Sequence, residues 1–179
     1  MNRLKEKYAN EVQAKLQEEL GLKNKLSVPR LQKIVVSIGL GEAKDNATVL
    51  DKVKVYLGAL AGQIPVVTLA KKSVASFKVS KGQPVGLMVT LRGDRMYAFL
   101  DKLINIVLPK VRDFRGISLN SFDSQGNLNM GLKEQTIFPE VDYKLIDKTR
   151  GLAVTITTSA KQKEEGKKLL EYLGVPFRS

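Results

Sequence analysis

Lys71, Lys72, Lys78 and Lys81 lie close together, with Ser73 and Phe77 among them and no acidic residue between them. Ammonium groups on flexible stems at that spacing do electrostatic chemistry. Each displaces condensed counterions from a phosphate backbone, which drives association without selecting a sequence. The segment then alternates, with Leu87, Val89 and Leu91 on one side and Met88, Thr90 and Arg92 on the other. A cationic loop beside a sheet face that carries Thr and Arg suits a phosphate-rich partner. Phe77 is placed either to stack or wedge against that partner or to anchor the loop on the protein body.

Other chemistries find little material. The chain has no histidine and no cysteine, so it lacks the commonest general base, thiolate nucleophiles and the usual ligands of zinc. Asp94, Asp101, Asp113, Asp123, Glu134, Glu140 and Asp142 are scattered beside basic residues with no ligand spacing. They read as surface ion pairs, and no metal site or cofactor is expected. A magnesium-dependent nuclease using Asp94 or Asp123 is a poor rival. Gly39-Leu40-Gly41-Glu42 begins like a dinucleotide fingerprint, but Lys44 stands where the third glycine belongs and Glu42 would oppose a pyrophosphate. A tight turn with positive φ is expected there. Aromatic residues make up 6% of the chain and tryptophan is absent, which argues against the stacking platforms of single-strand binders.

The charge balance agrees with the basic loop: 30 Lys+Arg against 18 Asp+Glu give a formal +12 over 179 residues. Such a field attracts polyanions. A membrane is not the expected partner, since no apolar run approaches the ~18–20 residues a span requires. The charged N-terminus lacks a secretory signal, so the expected home is the cytoplasm, with an organelle matrix less favoured. With 43% hydrophobic residues the chain can bury a real core, and residues 1–179 are expected to form a single domain with a mobile basic loop at about 71–83.

The elements that must position these groups follow from periodicity. Leu4, Tyr8, Val12, Leu16 and Leu20 predict an amphipathic helix over 4–20, stopped by Gly21. Alternation predicts a strand from Leu31 to Ile38, with Ile34, Val36 and Ile38 inward and Lys33, Val35 and Ser37 outward. A helix should follow, capped by Asp45 or Asn46, with Val49, Leu50, Val53, Leu57 and Leu60 apolar. Further strands are expected at Val66–Ala70, Val85–Arg92 and Leu152–Thr158, with a hairpin within Phe122–Met130. Helices are expected from Asp94 to Leu108, stopped by Pro109, and from Lys163 to Leu173. Residues 132–150 are irregular. The order implies an α+β fold, a split β-α-β (ferredoxin-like) arrangement in which helices cover one face of an antiparallel sheet. The open face would carry Lys33, Ser37, Thr90, Arg92, Thr155 and Thr157, groups suited to RNA sugars and phosphates.

Taken together, VPRLQKIVVSIGLGEA (28–43), KKSVASFKVSKGQPVGLMVTLRGDRM (71–96), LPKVRDFRGIS (108–118), SFDSQGNLNMGLKEQTIFPE (121–140), RGLAVTITTSAK (150–161) and the ending GVPFR closely resemble the bacterial large-subunit ribosomal protein of the "L five" family. The likeness runs the length of the chain. It implies a structural, non-enzymatic protein of the ribosome that binds 5S rRNA and helps attach it to 23S rRNA, beside neighbouring proteins of the central protuberance. It implies 5S contacts at Gln63, Thr90 and Arg92, in addition to the open-face residues Lys33 and Ser37. Many relatives have asparagine at the position of Ser37; serine keeps a donor and an acceptor but loses the amide's reach, which leaves a direct or a water-mediated contact open. The resemblance further implies that the loop with Lys71, Lys72, Ser73, Phe77, Lys78 and Lys81 reaches the P-site tRNA. It also implies an intersubunit bridge to a small-subunit head protein ("S thirteen"), for which Arg112, Arg115 and Lys144 are the candidates. The bland alternative is a nonspecific architectural binder of RNA or DNA.

Overall fold

The computed structural model describes residues 2–44, 46–142, 144 and 146–178. Asn2 opens α1 (Arg3–Lys7) by accepting from the Leu4 amide at 3.1 Å. A widened π turn, Tyr8–Val12, leads into α2 (Gln13–Glu19). Leu4, Val12 and Leu16 are buried, and Gly21 closes the run at φ 61°. Tyr8 donates its hydroxyl to the Pro29 carbonyl at 2.9 Å, and burial pushes its phenol up to about 12.

The strand β1 (Leu31–Gly39) is followed by α3 (Ala47–Ala61), whose cap is Asn46, accepting from the Thr48 amide at 3.1 Å. The other candidate cap, Asp45, lies outside the described residues. Then come β2 (Val66–Leu69), β3 (Pro84–Leu91), α4 (Gly93–Lys102), a π turn over Leu103–Val107 and α5 (Leu108–Lys110). The last elements are β4 (Leu128–Leu132), β5 (Leu152–Thr158) and α6 (Lys163–Tyr172). Among the described residues no helix is long and apolar enough to cross a membrane.

Two expectations are corrected. Pro109 does not stop its helix, which continues to Lys110. The π turn explains this: the Leu108 amide reaches back five residues to Leu103, so the hydrogen-bond ladder is already re-registered and Pro109 enters as the first turn of a new helical segment, where a missing N–H costs little. Nor do Gly39 and Gly41 adopt positive φ. The chain leaves β1 through a 3-10 turn, Gly41–Lys44, with the Leu40 amide held by the Val85 carbonyl at 2.8 Å.

The strands form one five-stranded antiparallel sheet in the order β2-β3-β1-β5-β4. β3 lies between β1 and β2, the two strands that α3 joins, which is the expected split β-α-β unit. Burial alternates as the sequence pattern requires: Ile34, Val36, Ile38, Leu87, Val89, Leu91, Val154 and Ile156 are buried, while Lys33, Val35, Ser37, Met88, Thr90, Thr155 and Thr157 are half-buried on the opposite register.

By its contacts the chain groups into two compact units. The first comprises the N-terminal stretch to Ile34, Leu91–Met130 and the stretch from Thr155 onward; the second comprises Val35–Thr90 and Gly131–Val154. In the first, the C-terminal segment is pinned by hydrogen bonds from the Ile117 amide to the Pro176 carbonyl and from the Arg178 amide to the Ile117 carbonyl, and Phe177 meets Phe122 with ring centroids 5.4 Å apart. In the second, the described residues of 133–150 are irregular but not superficial. Phe138, Val141 and Gln135 are buried, and the buried Arg150 forms a two-point pair with Asp147 (2.6 and 3.1 Å) and a 3.2 Å contact to Glu42.

Candidate nucleic-acid interface

β1 and β3 present their second register because the first is filled with Ile, Val and Leu. In the second unit this places Ser37 on β1 and Thr90 on β3, both half-buried. Gln63 follows the left-handed cap Gly62 of α3, and that cap turns it toward β3, where its side-chain amide donates to the Thr90 carbonyl at 3.3 Å. The residue therefore ties a helix terminus to the strand that carries Thr90.

The basic loop is built from its own backbone. Ala70 donates to the Gln83 carbonyl and Gly82 to the Ala70 carbonyl, each at 2.9 Å, and Val74 and Val79 pair as a bridge (2.8 and 3.2 Å). Lys78 takes the left-handed conformation at φ 50° after a 3-10 turn, Ala75–Phe77. The Lys81 amide donates to the Ser73 hydroxyl at 2.9 Å and the Ser80 amide to the Gln83 side chain at 2.8 Å. Ser73 thus shapes the loop. Lys71, Lys72, Lys78 and Lys81 are all exposed, and Phe77 is 72% exposed, so the ring does not anchor the loop in a core.

In the first unit, Lys33 is half-buried on β1. Arg92 is exposed at the cap of α4, in extended conformation and making no side-chain capping bond. Thr155 donates its hydroxyl to the Asn129 side chain at 2.7 Å, a cross-strand pair between β5 and β4 that periodicity did not single out. Arg112 and Arg115 are exposed, flanking Asp113 at φ 53°. Lys144, in the second unit, is exposed, and its amide donates to the Asp142 carboxylate at 2.9 Å.

The acids a nuclease would need serve structure instead. Asp94 pairs with Lys5 and Asp101 with Arg3, each at 2.7 Å, and the Lys5 ammonium holds the Asp94 carboxyl below its usual range. Asp123 accepts from the amides of Gln125 and Asn127 and from the Asn127 side chain, fixing the turn before β4.

Within each unit these hydroxyls, amides and exposed cations are groups of the kind that meet a polyanion. Comparison with known proteins points the same way. The family described as "Ribosomal protein L5" matches residues 24–79, and the C-terminal part of the same ribosomal family matches residues 84–177. The chain is 56% identical over 177 residues to the large ribosomal subunit protein uL5 of Thermoanaerobacter sp. (strain X514), covering 99% of each chain. It is 55% identical over 179 residues to that of Trichlorobacter lovleyi, covering all of both. With that of Thermus aquaticus it shares 54% identity over 175 residues, 98% of this chain and 96% of the relative.

Proposed function

The chain belongs to the ribosomal protein L5 family, and on that premise we propose that its open sheet face binds 5S rRNA and helps attach it to 23S rRNA in the central protuberance. It is a structural, non-enzymatic constituent of the large ribosomal subunit, located on the cytoplasmic ribosome. The observation that supports the proposal is the 3.3 Å bond from the Gln63 side-chain amide to the Thr90 carbonyl, which joins two of the three residues the resemblance implies. Groups already joined in this way need less ordering when they meet a folded RNA surface. Lys33 and Arg92 add cationic contacts, and Ser37 adds a hydroxyl.

The basic loop is assigned to the P-site tRNA. Exposed lysines accept any tRNA backbone, which suits a contact that must not discriminate. Arg112, Arg115 and Lys144 are the candidates for the bridge to the small-subunit head protein "S thirteen".

A gel-shift titration against 5S rRNA and a length-matched structured RNA, at two salt concentrations, tests the reading. A 5S preference that survives high salt supports it; equal affinities that both collapse with salt leave a nonspecific cationic binder. In the same assay, Arg92→Ala should weaken 5S binding by about 1–3 kcal/mol and Thr90→Ala by about 0.5–1.5 kcal/mol. Neutralising Lys71, Lys72, Lys78 and Lys81 together should leave 5S affinity nearly intact while weakening the tRNA contact on assembled ribosomes. Equal loss of 5S affinity in the loop variant and in Arg92→Ala would sink this division of labour.

A further inference from the structure

On the β2–β3 ribbon the threonine hydroxyls stand among aliphatic side chains rather than charged ones. Strand register pairs Val66 with Met88 and Thr68 with Gly86, so Val66, Thr68, Met88 and Thr90 share one face of the β2–β3 ribbon. Val67 and Leu87 share the other face, and Leu87 is fully buried. On the open side Val66 is 63% exposed, and Ile64, which leads into the strand, is 77% exposed. β2 is also an edge strand of the sheet. Large aliphatic side chains exposed on a sheet edge invite association, so natural sheets blunt such edges or cover them.

Charge selects the cover. No acidic residue stands between Asp51 and Asp94, so neither β2 nor β3 repels a polyanion, and the chain as a whole carries a formal +12. That field favours a polyanion. Aliphatic side chains interleaved with threonine hydroxyls match the wide, shallow minor groove of an A-form helix, which displays ribose carbons beside 2′-hydroxyls.

We propose that Ile64, Val66 and Met88 form an apolar strip that packs against the riboses of the bound RNA, with Thr68 and Thr90 meeting its 2′-hydroxyls. This inference rests on the open face being the 5S rRNA site, and it adds that this part of the contact is driven by burial rather than by ion pairing. Its signature is therefore in the salt dependence. Neutral contacts displace no counterions, so removing them lowers affinity at every salt concentration without changing the slope of log K on log salt.

The test is the paired substitution Ile64→Ser and Val66→Ser, both at exposed positions where folding is little affected. The pair is titrated with 5S rRNA across a salt series beside the wild type and Arg92→Ala. The expected result is a loss of affinity of about tenfold at unchanged slope, against a slope reduced by about one for Arg92→Ala. Wild-type affinity in the serine pair, with the wild type still preferring 5S rRNA, overturns the strip and leaves the proposed function standing. So does a lost affinity that comes with a shallower slope. Full 5S affinity combined with failure to enter large subunits shows that the β2 edge takes a polypeptide strand instead. A wild type with no 5S preference removes the site and the strip with it.

Discussion

Replacing Asp147 by asparagine and Glu42 by glutamine together should lower the unfolding free energy by about 3 kcal/mol, whereas Arg150→Met should cost less than about 1.5 kcal/mol. The asymmetry comes from where each partner sits. The Arg150 side chain is 6% exposed, but those of Asp147 and Glu42 are 33% and 45% exposed. Stripping both acids leaves a guanidinium deep in the second unit with no counter-charge. Removing the arginine returns two carboxylates to water they already touch, and methionine refills the space. The backbone bond from the Arg150 amide to the Gln135 side chain survives either change, as does the 2.7 Å bond from Gln135 to the Lys148 carbonyl. Urea denaturation at pH 7 measures the difference, and equal losses from the two variants would show that the acids are not what makes the buried cation tolerable.

The same pair predicts an acid signature. The bonds from Arg150 hold the Asp147 carboxyl at about 2, below its ordinary 3.8. A carboxylate with a depressed folded-state pKa contributes fully above its unfolded value and loses that contribution as pH falls through the folded one. The wild type's advantage over the Asp147→Asn, Glu42→Gln variant should therefore be complete at pH 7 and shrink between about pH 4 and pH 2.

Arg150 also shows where the sequence stops being legible. It stands at the end of a charged, irregular stretch and looks like a solvated residue; only a fold that brings Glu42 to it from the far side of the chain reveals a buried ion pair. Alternation, by contrast, exposes β1, β3 and β5 almost to the residue, because one buried register leaves a period of two along most of each strand. It also places Ser37 and Thr90 on the open side. Gln63 comes from family resemblance, and the reason it matters, its bond to Thr90, is a tertiary contact with no local signal. The π turns at Tyr8–Val12 and Leu103–Val107 leave an apolar repeat of three or four intact, so periodicity predicts the helices and misses the bulges. Ile64, just before β2, and Val66, which opens it, are missed for a different reason: an aliphatic residue carries no local mark of exposure, and here both are exposed.

Gly166→Ala should lower the unfolding free energy by about 3 kcal/mol, at the upper end of the cost of overpacking, although alanine inside a helix ordinarily gains about 0.5–1 kcal/mol over glycine. Gly166 lies within α6, in the first unit, and a Cβ there would fall on the Gly126 carbonyl oxygen and 2.7 Å from the Gly126 Cα. Neither side can yield. Gly126 is itself at φ 75°, and its carbonyl accepts from the Thr158 hydroxyl at 3.0 Å. Its turn is locked by the Asp123 carboxylate, which takes bonds from Gln125 and Asn127 at 2.7–2.9 Å. Moving α6 outward would unseat Leu169 and Leu170, both fully buried. Gly58 supplies the control, because it lies inside α3 and a Cβ there meets nothing closer than the Pro65 ring at 3.5 Å. Gly58→Ala should raise stability by about 0.5–1 kcal/mol, so the two glycine-to-alanine changes move the unfolding midpoint in opposite directions. A Gly166→Ala protein as stable as the wild type would mean that α6 does not press on the Gly126 turn, and that the close approach of the two glycines is not what seats the C-terminal helix.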